Sequence, residues 1–276
     1  MSLRLQIAVA SALSALAVLA SPAAAVINGT TAGSSSWPWA VQVLLVGSSG
    51  IEGICGGTLV APTRVVTAGS CTTSDAELFV IANRKKLADE SGLIEVVDFQ
   101  RAPEWSSFSA NDVAVLTLAE APDPATPIEL LAPDESGEFP DPSSALLAGW
   151  GATDTSPGDP SETLQQGQVT LQADCSEAGT RCSSSTVKPC NGDLGGPVIV
   201  QLGGDTVNKD PSPDNGTWRL VALPLGGPSD CSQTLYVDLT QPDIQAFIEN
   251  PGGEQPGTGG GNPPPTPSLP AAPGPV

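Results

Sequence analysis

The apolar positions of this chain fall in short runs rich in β-branched residues, separated by clusters of Gly, Pro, Ser and Asp. The runs are "AVQVLLVG" (40–47), "GGTLVAPTRVVTAG" (56–69), "ELFVIAN" (77–83), "LIEVVDF" (93–99) and "DVAVLTL" (112–118), then "SALLAGWG" (144–151), "QVTLQA" (168–173), "GPVIVQL" (196–202), "WRLVALPL" (218–225) and "TLYVDL" (234–239). Strand-length segments at close spacing, with turn chemistry between them, predict a sandwich or barrel. One segment has a different period. In "TQPDIQAFI" (240–248), Ile244, Phe247 and Ile248 share a helical face, and Thr240 stands where a cap is expected. The pattern therefore predicts an all-β domain over residues 26–250, closed by one helix, with no internal repeat.

The two ends read differently. Arg4, the apolar run from Ile7 to Ala20 and the A-x-A spacing of Ala23 and Ala25 have the form of a secretory signal over residues 1–25, with cleavage after Ala25. That run is too short to span a bilayer, and no later segment reaches the length of a membrane helix. Residues 251–276 are Pro- and Gly-rich and without periodicity, so a disordered tail is expected, either a plain flexible terminus or a spacer at a cell wall.

Charge narrows the partners. A formal net charge of -20 argues against nucleic acid, which needs clustered Lys and Arg. An acidic surface chiefly keeps an exported protein soluble; a salt-rich habitat and a cationic partner are the other readings. Six cysteines, Cys55, Cys71, Cys175, Cys182, Cys190 and Cys231, form an even set that in an oxidising compartment reads as disulfides. The chain has no histidine and no C-x-x-C pair, so neither metal nor other cofactor is expected. "NGT" occurs at Asn28 and Asn215, as a glycosylation sequon or simply as turn-forming Asn-Gly.

Six stretches then stand in order: "VINGTTAGSSSWPWAVQV" from Val26, "CGGTLVAPTRVVTAGSC" ending at Cys71, "NDVAVLTL" with Asp112, "AGWG" (148–151), "CNGDLGGP" from Cys190, and "LPLGGPSDC…LYVDL". Together they resemble the trypsin/chymotrypsin family of secreted serine proteases over nearly all of residues 26–248. The resemblance implies two six-stranded antiparallel β-barrels with a C-terminal helix and a site in the cleft between them. It also implies the pairings Cys55–Cys71, Cys175–Cys182 and Cys190–Cys231.

The resemblance breaks at the chemistry. The family needs a hydroxyl nucleophile, an imidazole base and a buried carboxylate orienting that base. Ser70 stands at the imidazole position, Leu194 at the nucleophile position, and Asp112 alone matches the triad. Gly192 and Leu194 retain the backbone N–H groups of an oxyanion hole. Asp193 matches the aspartate that pairs with the new N-terminus, here Val26. Lys188 lies at the floor of the specificity pocket, where it either favours acidic side chains or fills its own pocket. Pro224, Leu225 and Gly226 take the substrate-binding strand, and a proline disturbs that edge.

The expected function is accordingly a secreted, monomeric, non-catalytic homologue that binds, regulates or adheres through a protein partner. Two alternatives stand beside it: a hydrolase with rearranged chemistry at Ser70, marked by an amine or carboxylate in reach of its hydroxyl, and a plain extracellular structural protein. Lys85 and Lys86 read as a solvated loop pair.

Overall fold

The computed structural model describes residues 26–33, 35–72, 76–83, 92–152, 160–173, 175–204, 210–225, 231 and 235–253. Among them the chain forms β1 (Thr30–Thr31), β2 (Ala40–Gly47), β3 (Gly50–Ala61), β4 (Arg64–Thr67), β5 (Glu77–Ile81), β6 (Leu93–Arg101) and β7 (Ala114–Leu118). There follow β8 (Glu129–Leu130), β9 (Ser143–Gly149), β10 (Gln165–Gln172), β11 (Thr180–Ser183), β12 (Val198–Gln201), β13 (Trp218–Pro224), β14 (Leu235–Asp238) and the helix α1 (Pro242–Glu249).

The first barrel closes in the order β2-β3-β4-β7-β6-β5. Its inward positions alternate with outward ones, as the pleat requires. Val41, Val43 and Val65 converge on Gly57, where a Cβ would stand 2.8 Å from Val65 Cγ1, so the smallest residue fits a wall that valines already fill. The second barrel runs β9-β10-β11-β14-β13-β12 and closes through pairings of β9 with both β10 and β12. β1 adds to β10, and β8 adds in parallel to β13. The largest apolar cluster spans both barrels, from Val41, Leu59 and Val65 to Leu146, Ile199 and Leu223. Burial of this kind contributes about 25 cal/mol per Å² of apolar surface, so the two halves share one core rather than merely touching.

All ten apolar runs lie on observed strands. The short strands β1, β8 and β11 were not expected, and in "TRCS" of β11 only the cysteine is apolar. The helix needs one correction. Gln241 occupies its N-cap without a side-chain cap, while the Thr240 hydroxyl donates instead to Asp238 Oδ1 at 2.6 Å. The expected face is buried: Ile244, Phe247 and Ile248 join the main core. Cys55 is bonded to Cys71, Cys175 to Cys182 and Cys190 to Cys231. No helix among the described residues is long and apolar enough to cross a membrane. The signal-like segment, Lys85, Lys86, Gly226 and the tail from residue 254 lie outside the described residues.

Candidate active-site cleft

Ser70 sits in a one-turn 3-10 helix, Gly69–Cys71, directly after β4. The Cys55–Cys71 disulfide ties this turn to β3. Asp112 precedes β7 and is fully buried. A buried carboxylate requires donors, and Asp112 has four. Oδ1 accepts the Ser70 N–H at 2.7 Å and the Trp105 indole N–H at 3.0 Å. Oδ2 accepts the Ser70 hydroxyl at 2.9 Å and the Phe108 N–H at 2.8 Å. An ionised carboxylate offers about four lone-pair sites, so this one is saturated by its own protein.

Trp105 and Phe108 belong to the loop between β6 and β7, and sequence reading did not single them out. Glycine at position 69 makes room for the tryptophan, since a Cβ there would overlap the indole nitrogen. From the other side the Arg101 guanidinium lies 4.1 Å from the Trp105 ring centroid, a cation–π contact. Arg101 is itself held by donation from Nε to Thr72 Oγ1 at 2.8 Å and from its guanidinium to the Thr72 carbonyl. Arg101, Trp105, Asp112 and Ser70 thus form one continuous brace. The available signals were weak: a tryptophan seven residues before the aspartate, and a glycine beside the serine.

Across the cleft, Leu194 is half-buried and packs against the main core. The loop around it is shaped by backbone contacts. The Leu194 carbonyl accepts the Gly56 N–H at 2.8 Å, the Gly195 N–H donates to the Pro224 carbonyl at 3.1 Å, and the Gly196 N–H donates to the Asp193 carbonyl at 3.0 Å. Gly195 has φ +77° and abuts Thr67 and Ala68, where any side chain would clash. A Cβ on Gly56 would stand 2.6 Å from Gly196 Cα. None of these contacts involves the side chain at 194. Among the described residues, neither the Gly192 nor the Leu194 N–H has a protein acceptor.

Asp193 is also fully buried, and it accepts N–H groups of Gly151 at 2.7 Å and Cys190 at 2.9 Å, together with that of Val26. Burial pushes its carboxyl up to about 7, against the pull of these three donors. Next to it, Val26 has no exposed surface. Ile27 and Lys188 form an antiparallel bridge, with N–H to carbonyl distances of 2.8 and 3.1 Å, so Lys188 is tied by its backbone to the segment following Val26. Its side chain is half-buried. Pro224 ends β13 opposite Tyr236 of β14; Gly226 lies outside the described residues.

The Val26 contact makes stability depend on whether residue 26 carries a peptide N–H or a free ammonium. In the unprocessed chain, burial raises the Asp193 carboxyl to about 7 when folded, against the ordinary 3.8 of the unfolded chain. Between those values the folded state holds the extra proton, so stability falls as pH rises from about 4 to about 7. A free Val26 ammonium favours the ionised carboxylate and removes that fall. Urea unfolding at several pH values, comparing a chain that begins at Val26 with one carrying Ala24–Ala25 ahead of it, should give slopes that differ by a few kcal/mol across this window. Parallel slopes would contradict a charge pair at this position.

The amides of both sequon asparagines are engaged, which favours their turn-forming reading. Asn28 Nδ2 donates to the Thr186 carbonyl at 2.7 Å, and Asn215 Nδ2 donates to that of Asp210 at 2.5 Å. Among the described residues there is no group of three or more His, Cys, Asp and Glu placed to hold a metal ion.

Residues 26–209 match the family model described as Trypsin. A trypsin of Saccharopolyspora erythraea is 34% identical over 191 residues, covering 63% of this chain and 82% of that relative. A chymotrypsin-C of Bos taurus is 31% identical over 245 residues, covering 82% of this chain and 87% of the relative. A chymotrypsin-C of Rattus norvegicus is 28% identical over 227 residues, covering 75% and 80% respectively.

Proposed function

This chain belongs to the trypsin family of serine proteases, and we propose that it is a secreted member that binds a protein partner without catalysing hydrolysis. The observation that carries this reading is the Ser70–Asp112 pair. The family's base is an imidazole whose N–H the aspartate holds. Here a serine hydroxyl stands in that place and donates to Asp112 Oδ2 at 2.9 Å. A hydroxyl cannot act as a base near neutral pH, and a chain with no histidine has none to recruit from elsewhere. At the nucleophile position Leu194 has no atom that can attack a carbonyl. Losing one triad member reduces turnover by about 10⁴–10⁶, and two are replaced in this reading.

The same 2.9 Å contact is what favours a second reading, a hydrolase in which Ser70 attacks and Asp112 takes its proton. Two features weigh against it. Asp112 already accepts three N–H donors besides the hydroxyl, so it is tied into the brace rather than held for Ser70 alone. Moreover, Ser70 stands at the family's base position, whereas the family's oxyanion-binding N–H groups flank the nucleophile position, here Leu194.

The retained architecture fits a binding role. The brace around Asp112 and the glycine contacts of residues 192–196 fix a rigid frame for surface loops, and variable loops on a rigid frame are how folds of this kind acquire new partners. Three disulfides fit an oxidising, extracellular setting. Cleavage of the signal after Ala25 delivers Val26 directly to Asp193, with no propeptide to remove. The purified protein beginning at Val26 is expected to release no product from chromogenic peptide or ester substrates above the background rate. Hydrolysis that vanishes in Ser70→Ala would replace this reading with the second one.

A further inference from the structure

The β5–β6 ladder of the first barrel is short. It pairs Phe79 with Glu95, Val80 with Ile94 and Ile81 with Leu93, and it stops there. Beyond that point β6 bulges between Val96 and Asp98 and turns its hydrogen bonds to β7. The start of β5 remains paired to β2, through Glu77 with Val46 and Leu78 with Leu45. Each strand is thus satisfied on one side, and the two diverge with facing edges that are not paired to each other. Between them lies a cavity of about 460 Å³, lined by Ala76–Phe79 and Glu95–Phe99. That size falls within the range of ligand-binding clefts.

The lining has two chemistries. Val97 is 57% exposed at the bulge, and Phe79 and Phe99 lie half-buried beside it. Glu77, Glu95 and Asp98 are exposed, and among the described residues none of the three makes a salt bridge. Strand edges left open beside apolar side chains are templates for another extended chain. Three carboxylates without a salt bridge among the described residues outnumber the one cation at the lining, Arg101, 5.6 Å from the Phe99 ring centroid, and on a protein of net charge -20 they select the sign of that chain.

We propose that this groove is a docking site for an extended basic segment of a partner protein, whose lysines or arginines meet Glu77, Glu95 and Asp98 while its apolar residues cover Val97 and Phe99. The inference rests on the non-catalytic binding function above and supplies its surface and partner chemistry. The segment lies along β6, whose last residue, Arg101, stacks on Trp105, so the groove is mechanically continuous with the brace behind Asp112. Acidic peptides are repelled by the same carboxylates, and neutral ones gain nothing from them. Salt weakens the complex, because it shortens the Debye length, about 8 Å at physiological ionic strength, beyond which exposed charges are screened.

Fluorescence anisotropy with a labelled dodecapeptide of alternating lysine and valine tests this directly, with the glutamate–valine counterpart as the second probe. The lysine peptide is expected to bind the Val26-initiated protein, the glutamate peptide not to bind, and the Glu95→Lys/Asp98→Lys variant to lose at least tenfold in affinity. Glu95→Gln, which disturbs an exposed position least, is expected to lose roughly threefold. Binding that is unchanged in both variants would place the peptide elsewhere and overturn the groove while leaving the binding function intact. No binding of the lysine peptide would overturn the groove. Cleavage of either peptide, followed by mass spectrometry in the same samples, would overturn the non-catalytic function itself.

Discussion

Replacing Asp112 with alanine is expected to destabilise the protein by roughly 3–5 kcal/mol, the usual loss when one member of a buried polar network is removed. The reason is the number of groups left without an acceptor: the N–H and hydroxyl of Ser70, the Trp105 indole and the Phe108 N–H. For a domain of this size each kcal/mol shifts the melting temperature by about 2–4 °C, so a fall of roughly 10 °C should be visible by calorimetry under oxidising conditions. Asp112→Asn should fall by less. It keeps the volume and one acceptor oxygen but turns an amide N–H₂ toward two other donors. An aspartate that serves only to orient a catalytic base has no such burden. If Asp112→Ala melts within about 1 °C of the parent, the brace through Arg101 and Trp105 is not the role of this residue.

The second large effect is a gain. The double substitution Ser70→His with Leu194→Ser is expected to raise esterase turnover by roughly 10³-fold over the parent, because triad members act as a unit. The geometry is favourable for it. Asp112 Oδ1 keeps Trp105 and the residue 70 N–H, and on Oδ2 the place of the Ser70 hydroxyl opens to an imidazole N–H beside the Phe108 N–H. The glycine contacts that shape residues 192–196 do not involve the Leu194 side chain, and among the described residues no protein acceptor competes for the N–H groups of Gly192 and position 194, which the proposed restoration needs for a developing oxyanion. Either single variant should stay at the parental rate. A single variant that gains as much as the double would show that the chemistry was not lost twice. A silent double variant would move the block to the pocket, where Pro224 and Lys188 depart from the family pattern.

Much of this molecule could be read before its structure was known, and the boundary has a physical cause. Strands such as β2 and β7 announce themselves because a strand buried on a barrel wall must be apolar at alternate positions, and that period survives in the sequence. β11 did not, since a disulfide and pairing to β10 and β14 supply what apolar side chains supply elsewhere. At the site, Ser70, Asp112, Asp193 and Leu194 were legible through motif position. The partners of Asp112 were not. Trp105 and Phe108 come from an aperiodic loop, and Trp105 reaches the carboxylate only because Gly69, thirty-six residues earlier, has no Cβ. Loops carry no period, so nothing in the pattern predicts which of their side chains turn inward. The groove on β5 and β6 was hidden for a related reason. "LIEVVDF" reads as one strand, whereas the bulge at Val97 that opens the groove is a tertiary outcome of changing partners from β5 to β7.

We propose that this trypsin-family cleft holds no competent nucleophile, and intact-mass spectrometry after prolonged incubation with a fluorophosphonate reads this out without any substrate. The protein beginning at Val26 is predicted to keep its mass unchanged, whereas a parallel sample of the Ser70→His/Leu194→Ser variant should gain one phosphonyl group at position 194. A stoichiometric adduct on the parental protein, mapped to Ser70 and absent from Ser70→Ala, would contradict the account.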